Sequence, residues 1–272
     1  MRPLITLTTD FGTSDPYVAA MKGVVLSISS DAQVIDISHG VRPQRVLQAT
    51  FVTQSAWPFF PEGAVHVAVV DPGVGTERRA LALVTHRGCF VGPDNGVLSA
   101  ALPDDARPSD SDGVALVPLP DGHRAFAIAN STYLREPVSA TYHGRDIFAP
   151  AAAHLSIGLP PHELGEPVES VLAFPPLRAR RRNDGSLEAR VIHIDRFGNI
   201  ITDARAPDLP DGAIAVELAG ESVPGLVRTY AEASALVALV GSSGYLEVAQ
   251  PGGSAADALA VEMGDPVLVR RR

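Results

Sequence analysis

The chain has 272 residues, 46 % apolar and 19 % charged, with a formal net charge of −9. This balance excludes a disordered polymer and leaves room for one large or two modest domains. The negative charge disfavours a nonspecific nucleic-acid binder, which needs a cationic face against phosphates. The single cysteine, Cys89, excludes an intramolecular disulfide and a multi-cysteine zinc site. No apolar run approaches the ~18 residues of a membrane span. Met1-Arg2-Pro3-Leu4 leads into a strand rather than a secretory signal, so a cytoplasmic protein is expected.

In chain order, residues 4–9 are rich in β-branched types and predict a strand, followed by the loop Asp10-Phe11-Gly12-Thr13-Ser14. Asp15 is expected to cap a helix with Pro16 in its first position, where a missing N–H costs nothing. Val18, Met21, Val25 and Ile28 then mark its buried face. A second strand is predicted over 34–38 and a helix over 46–57, ended by Pro58. Residues 65–70 are apolar at nearly every position, as a strand covered on both faces should be. Strands follow at 80–85, 114–117 and 125–129, and a helix at 147–157 with Pro150 in its first turn. This alternation predicts a layered α/β domain over residues 1–172. Residues 173–185, with Pro175, Pro176 and Arg178, Arg180, Arg181 and Arg182, read as a solvated linker. Residues 186–272 carry only short strands between Gly, Pro, Asn and Asp turns, at 188–194, 200–202, 213–217, 236–240, 245–248 and 267–269. They predict a smaller antiparallel β-barrel or sandwich.

Five segments hold residues suited to chemistry. Asp10 ends the first strand, where open α/β sheets bind ligands; it either accepts ribose hydroxyls or caps its own loop. Asp71-Pro72-Gly73-Val74-Gly75-Thr76-Glu77-Arg78 sets a carboxylate and a guanidinium seven residues apart in one glycine-bearing loop. It lacks the Gly-Lys-Ser/Thr ending of a phosphate loop, and the pair is equally readable as a structural ion pair. His143, in Tyr142-His143-Gly144-Arg145-Asp146, can shuttle protons near neutral pH, stand idle in a loop, or ligate a metal with Asp146. Asn199, in Asp195-Arg196-Phe197-Gly198-Asn199, offers a donor and acceptor that match an adenine edge, although Gly and Asn also suit a hairpin turn. The hydroxyls and N–H groups of Gly241-Ser242-Ser243-Gly244 suit a carboxylate ligand, and no GxSxG elbow is present.

Together, TLTTDFGTSDPYVAAMKG (6–23), VVDPGVGTERR (69–79), PDNG (93–96), YHGRDIFAPAAAHL (142–155), DRFGNIIT (195–202) and GSSGYLEVA (241–249) resemble the S-adenosyl-L-methionine hydroxide adenosyltransferases. These are also called SAM hydrolases and are related to the fluorinase and chlorinase enzymes. The resemblance implies an N-terminal α/β domain, a C-terminal β-barrel, and a homotrimer with sites at subunit interfaces. It implies cleavage of S-adenosyl-L-methionine by water to adenosine and L-methionine, without a cofactor or metal. The family's Asp–Arg–His set falls on Asp71, Arg78 and His143. Asp10 matches the ribose-binding position, Asn199 the adenine reader, Tyr230 the stacking ring, Asp195 the ammonium contact and Ser242 the carboxylate contact. Asp15, Tyr17 and Ser243 are further substrate-side candidates.

The implied chemistry is physically coherent. A sulfonium leaves as a neutral thioether and needs no general acid. Arg78 would stabilise developing negative charge, while Asp71 and His143 orient the water and take its proton. Halogenases of the same family are the competing reading. Asp71 would set a negative charge where a halide must sit. The stretch 85–96 is too short for the fluorinase insertion, and Ser243 stands where halogenases carry arginine. A non-catalytic SAM- or adenosine-binding protein is the third reading.

Overall fold

The computed structural model describes residues 2–109 and 113–272, and the chain divides into two compact units, Met1–Pro176 and Leu177–Arg272. In the first unit β1 (Leu4–Thr9), α1 (Tyr17–Ile28), β2 (Gln33–Ser38), α2 (Val46–Ala56), β3 (Ala64–Val69), β4 (Ala80–Val84) and β5 (Gly88–Pro93) lead the chain. Then come β6 (Ala115–Pro118), β7 (Arg124–Ala127), α3 (Ala149–Ser156), β8 (Pro167–Val168) and β9 (Ser170–Ala173). One sheet runs β2-β1-β3-β5-β4-β7-β8. Its first four strands are parallel, and β4, β7 and β8 are antiparallel to their neighbours. β6 and β9 form a separate ladder.

Every residue of β3 is buried because the sheet is covered on both faces. Val65, Val67 and Val69 pack with α1 and α3, while Ala68 and Val70 pack with α2 and Leu98 on the other side. Each buried valine of this kind contributes roughly 1.5–3 kcal/mol. β5 carries no local signal because Gly88 and Gly92 interrupt it. A Cβ at either would lie 2.5 Å from a β3 carbonyl oxygen, so close strand approach requires the residues that make the segment look like a loop.

Two helix starts differ from expectation. Asp15 is an exposed turn residue rather than a cap; the non-helical Pro16 takes that place (φ −75°, ψ 1°) and α1 begins at Tyr17. Its carbonyl accepts the Ala20 N–H at 2.9 Å, and Val18, Met21 and Val25 are buried as the spacing requires. Within 147–157 the α-helix starts at Ala149, with Pro150 in its first turn, after a π-helical turn over Gly144–Phe148. α2 ends at Ala56, one residue before the expected end, and Pro58 lies in the 3₁₀ turn Trp57–Phe59 that follows it.

The second unit contains β10 (Arg180–Arg181), β11 (Leu187–Ile194), β12 (Ile200–Arg205), β13 (Ile214–Leu218), β14 (Glu221–Val227), β15 (Val237–Val240), β16 (Tyr245–Ala249), α4 (Ala255–Leu259) and β17 (Pro266–Arg271). The order β11-β12-β16-β15-β14-β13-β17 closes back onto β11 as a barrel. It is mixed rather than antiparallel, because β14 and β15 pair in parallel. The stretch 173–185 is not a free linker. Arg180 and Arg181 pair with β11, and Arg178 and Arg180 are neutralised by Asp208 and Glu188, each at 2.7 Å.

Candidate active site

Sheet register assembles the cluster in the first unit. β1 and β3 are parallel neighbours with Thr9 opposite Val69, so Asp10 and Asp71 leave the same carboxyl edge. β4 runs antiparallel to β5, which is itself parallel to β3, and this returns Arg78, two residues before β4, to that edge. Burial raises the Asp10 carboxyl above its ordinary pKa; the Gln44 N–H, bonded to Oδ2 at 2.8 Å, opposes this, and the Asp71 charge adds to it.

Arg78 grips Asp71 with both edges of its fork: Nε to Oδ1 at 3.0 Å and Nη2 to Oδ2 at 2.5 Å. The same Nη2 donates to His143 Nδ1 at 2.6 Å, and the guanidinium lies 5.2 Å from the Phe148 ring centre. The Asp71 and Arg78 side chains are only 5 % and 10 % exposed, so solvent screens this pair little. Arginine has no acceptor, so His143 Nδ1 must accept; the network assigns a neutral imidazole with its proton on Nε2. Burial holds the His143 pKa below its ordinary value, as does the Arg78 charge, against the opposing pull of Asp71 and Asp146.

The loop between Asp71 and Arg78 is built to hold this geometry. Thr76 Oγ1 donates to the Gly73 carbonyl at 2.7 Å. Gly75 adopts φ +78°, and a Cβ there would sit 2.3 Å from the Ala140 carbonyl oxygen, so the turn lies directly on the segment leading into His143. Asn95 Nδ2 donates to the Val70 carbonyl at 2.9 Å, just before Asp71. Asp146, fully buried, receives Arg145 Nε at 2.6 Å and the Ser139 N–H at 2.9 Å. Its oxygens fix this segment, which disfavours a metal-ligand role with His143. Tyr17 packs against Tyr142 at 5.2 Å and Phe11 at 5.7 Å beside the start of this segment, while Asp15 is exposed.

In the second unit, a cavity of about 710 Å³ is lined by Asp195, Asn199, Tyr230, Ser242 and Glu247, among others. Four predicted residues therefore share one wall, while Ser243 is exposed beside it. Asp195 is also the turn residue its context allowed. Its Oδ1 accepts the Phe197 and Asn199 N–H groups at 2.8 and 2.9 Å, and its Oδ2 accepts the Asn199 amide at 2.9 Å. Tyr230 donates to Glu247 Oε2 at 3.1 Å. Burial raises the Glu247 pKa; the Tyr230 hydrogen bond opposes this and Asp195 adds to it. Sequence reasoning gave Glu247, Asn95 and Gln44 no role. The one signal for Glu247 is Gly241: a Cβ there would fall on the Glu247 carboxylate.

The chain matches the SAM hydroxide adenosyltransferase N-terminal domain over residues 5–165 and the corresponding C-terminal domain over 189–268. It is 44 % identical to an (R)-S-adenosyl-L-methionine hydrolase of Thermus thermophilus, covering 98 % of this chain and 99 % of the relative. A fluorinase of Actinopolyspora mzabensis is 26 % identical over 99 % of this chain and 98 % of its own. An uncharacterised conserved protein of Thermotoga maritima superposes with a TM-score of 0.84 at 31 % identity, over 98 % of this chain and 100 % of its own.

Proposed function

The chain belongs to the SAM hydroxide adenosyltransferase family, and from that premise we propose that it hydrolyses (R)-S-adenosyl-L-methionine to adenosine and L-methionine by attack of water on the ribose C5′. The observation that carries this reading is the partly buried chain Asp71–Arg78–His143 at the sheet edge that also carries Asp10. As the C5′–O bond forms, the C5′–S bond breaks and its electron pair leaves on sulfur, which becomes a neutral thioether. The attacking oxygen turns into a protonated alcohol, an oxonium bearing C5′ and two hydrogens, and its protons become strongly acidic; losing one gives the 5′-hydroxyl of adenosine. A carboxylate of ordinary basicity suffices to take that proton, so free hydroxide is not required.

Within the Asp71–Arg78–His143 chain, Asp71 is that acceptor. Arg78 has no lone pair to offer, and His143 spends its Nδ1 lone pair on Arg78. The His143 Nε2–H remains a donor that can orient the water oxygen. Arg78 fixes both partners and stabilises negative charge on Asp71 until the proton arrives. Asp10 holds the ribose hydroxyls so that the water and sulfur lie in line across C5′. In the second unit, Tyr230 and Asn199 take adenine, Asp195 the ammonium and Ser242 the carboxylate; Tyr17, Asp15 and Ser243 complete the substrate's surroundings. A homotrimer working in the cytoplasm belongs to the same proposal. Among the described residues no helix is long and apolar enough to cross a membrane.

Incubating the purified protein with the (R) epimer, a chelator and excess chloride or fluoride should yield adenosine and methionine in equal amounts. A 5′-halogenated adenosine would move the chain to the halogenases, and unchanged substrate would support a binding protein.

The neutral state of His143 sets a pH dependence. Its pKa lies below the ordinary histidine value of about 6.5, so the acceptor form dominates at neutral pH and is lost as pH falls. The expected kcat/KM profile is level from neutral pH upward and declines on the acid side. His143→Asn, whose amide oxygen accepts but does not titrate in this range, should move that decline to lower pH, into the carboxylate range. An unchanged acid limb in this variant would assign it to another group.

A further inference from the structure

A second network lies behind the site, on the β2 side of β1. Thr9 is fully buried, is the last residue of β1 and immediately precedes Asp10. Its Oγ1 lies 2.8 Å from His39 Nδ1 and accepts the Phe11 N–H at 3.2 Å. The His39 carbonyl accepts the Gly12 N–H at 2.9 Å. His39 thus holds the Asp10-Phe11-Gly12 turn from both ends, once by its ring through Thr9 and once by its backbone. It also begins the loop 39–44, whose far end returns to the same carboxylate: Gln44, at φ +66°, donates its N–H to Asp10 Oδ2. On its outer side His39 Nε2 lies 3.0 Å from Asp36 Oδ1 without the alignment of a full hydrogen bond, and Asp36 is paired with Lys22 at 2.6 Å.

Hydrogen directions follow from these partners. The Thr9 hydroxyl already accepts from Phe11, and donating its own hydrogen to His39 Nδ1 satisfies both groups and turns the His39 Nε2–H toward the Asp36 carboxylate rather than a lone pair. The chain then runs Phe11 N–H to Thr9 Oγ, Thr9 O–H to His39 Nδ1, and His39 Nε2–H toward Asp36. Nothing in it touches the reacting atoms. Its geometry acts only on where the Asp10 carboxylate stands.

We propose that His39 is a positioning residue for this reaction, setting the Asp10 carboxylate through Thr9 and through both ends of the Asp10 turn. The inference rests on Asp10 being the ribose-binding carboxylate. An in-line displacement is sensitive to the placement of its clamp, so releasing the turn acts on kcat/KM rather than on folding alone.

The test is a double-mutant cycle on the full-length protein with S-adenosyl-L-methionine. His39→Leu should lower kcat/KM by as much as about 10²-fold. His39→Asn, which keeps an acceptor near the Nδ1 position, should recover most of that loss. Combined with Asp10→Asn, His39→Leu should add almost nothing, since the carboxylate it positions is already gone. Thr9→Val, of the same shape, should show the same lack of additivity when assayed well below its own, lowered melting temperature, which covers the case in which His39→Leu does not fold. Effects of Asp10 and His39 or Thr9 changes that multiply, or near-parental kinetics in Thr9→Val, would overturn the proposal while leaving Asp10 in its role. Parental kinetics in Asp10→Asn would remove the ribose role and the proposal with it.

Discussion

Asp71→Asn is expected to lower kcat about 10³-fold while leaving KM close to that of the parent. Asparagine keeps the volume and one oxygen, so Arg78 Nε retains an acceptor. The amide NH₂ then faces a guanidinium N–H where Oδ2 now accepts Nη2 at 2.5 Å, and two donors oppose each other. The change also removes the one group in the Asp71–Arg78–His143 chain with lone pairs to spare for the water. Both losses fall on the step in which the water proton departs, and neither touches the proposed adenine, ribose or methionine contacts. A raised KM with intact kcat would place Asp71 in binding rather than catalysis. Parental rates would remove it from the mechanism.

Gly75→Ala is expected to act nearly as strongly from outside the reacting groups. At φ +78° any L-residue carries a backbone penalty of roughly 1–2 kcal/mol. The larger effect is steric: the new Cβ would come within 2.3 Å of the Ala140 carbonyl oxygen, and backbone cannot swing aside as a flexible side chain can. The turn must lift away from the segment that carries His143, opening the 2.6 Å contact between Arg78 and Nδ1. A displacement of about 1 Å at such a contact can cost about 10²-fold in rate. Reduced kcat with a lowered melting temperature is the expected result. Parental kcat would mean that the contact between this turn and residue 140 does not set the geometry of Arg78.

These glycines also show what could be read from the amino acids and what could not. β1, β3 and the face of α1 were legible because burial on both sheet faces, or along one helix stripe, imposes a local pattern. β5 was not, since Gly88 and Gly92 answer to β3 carbonyls that are distant in sequence. β14 was hidden similarly: Pro224 and Gly225 look like a turn, while Gly225 packs on Ala238 of β15, where a Cβ would lie 2.8 Å away. The parallel pairing of those two strands has no local signature at all. In the site, Asp71 and Arg78 stood out because both lie in one loop. That His143 accepts from Arg78, the contact behind the proposal that Asp71 rather than His143 takes the proton, spans 65 residues of sequence. Glu247 and His39 were passed over for the same reason, since their partners Tyr230 and Thr9 lie in other elements.

Direct attack of water on C5′ is tested most plainly by running the reaction in heavy-oxygen water and locating the label by mass spectrometry. The expected result is adenosine carrying one heavy oxygen at the 5′ position, with unlabelled methionine. Label in homoserine alongside methylthioadenosine, or adenosine that forms without label, would contradict it, because the water would then have attacked a different carbon or none.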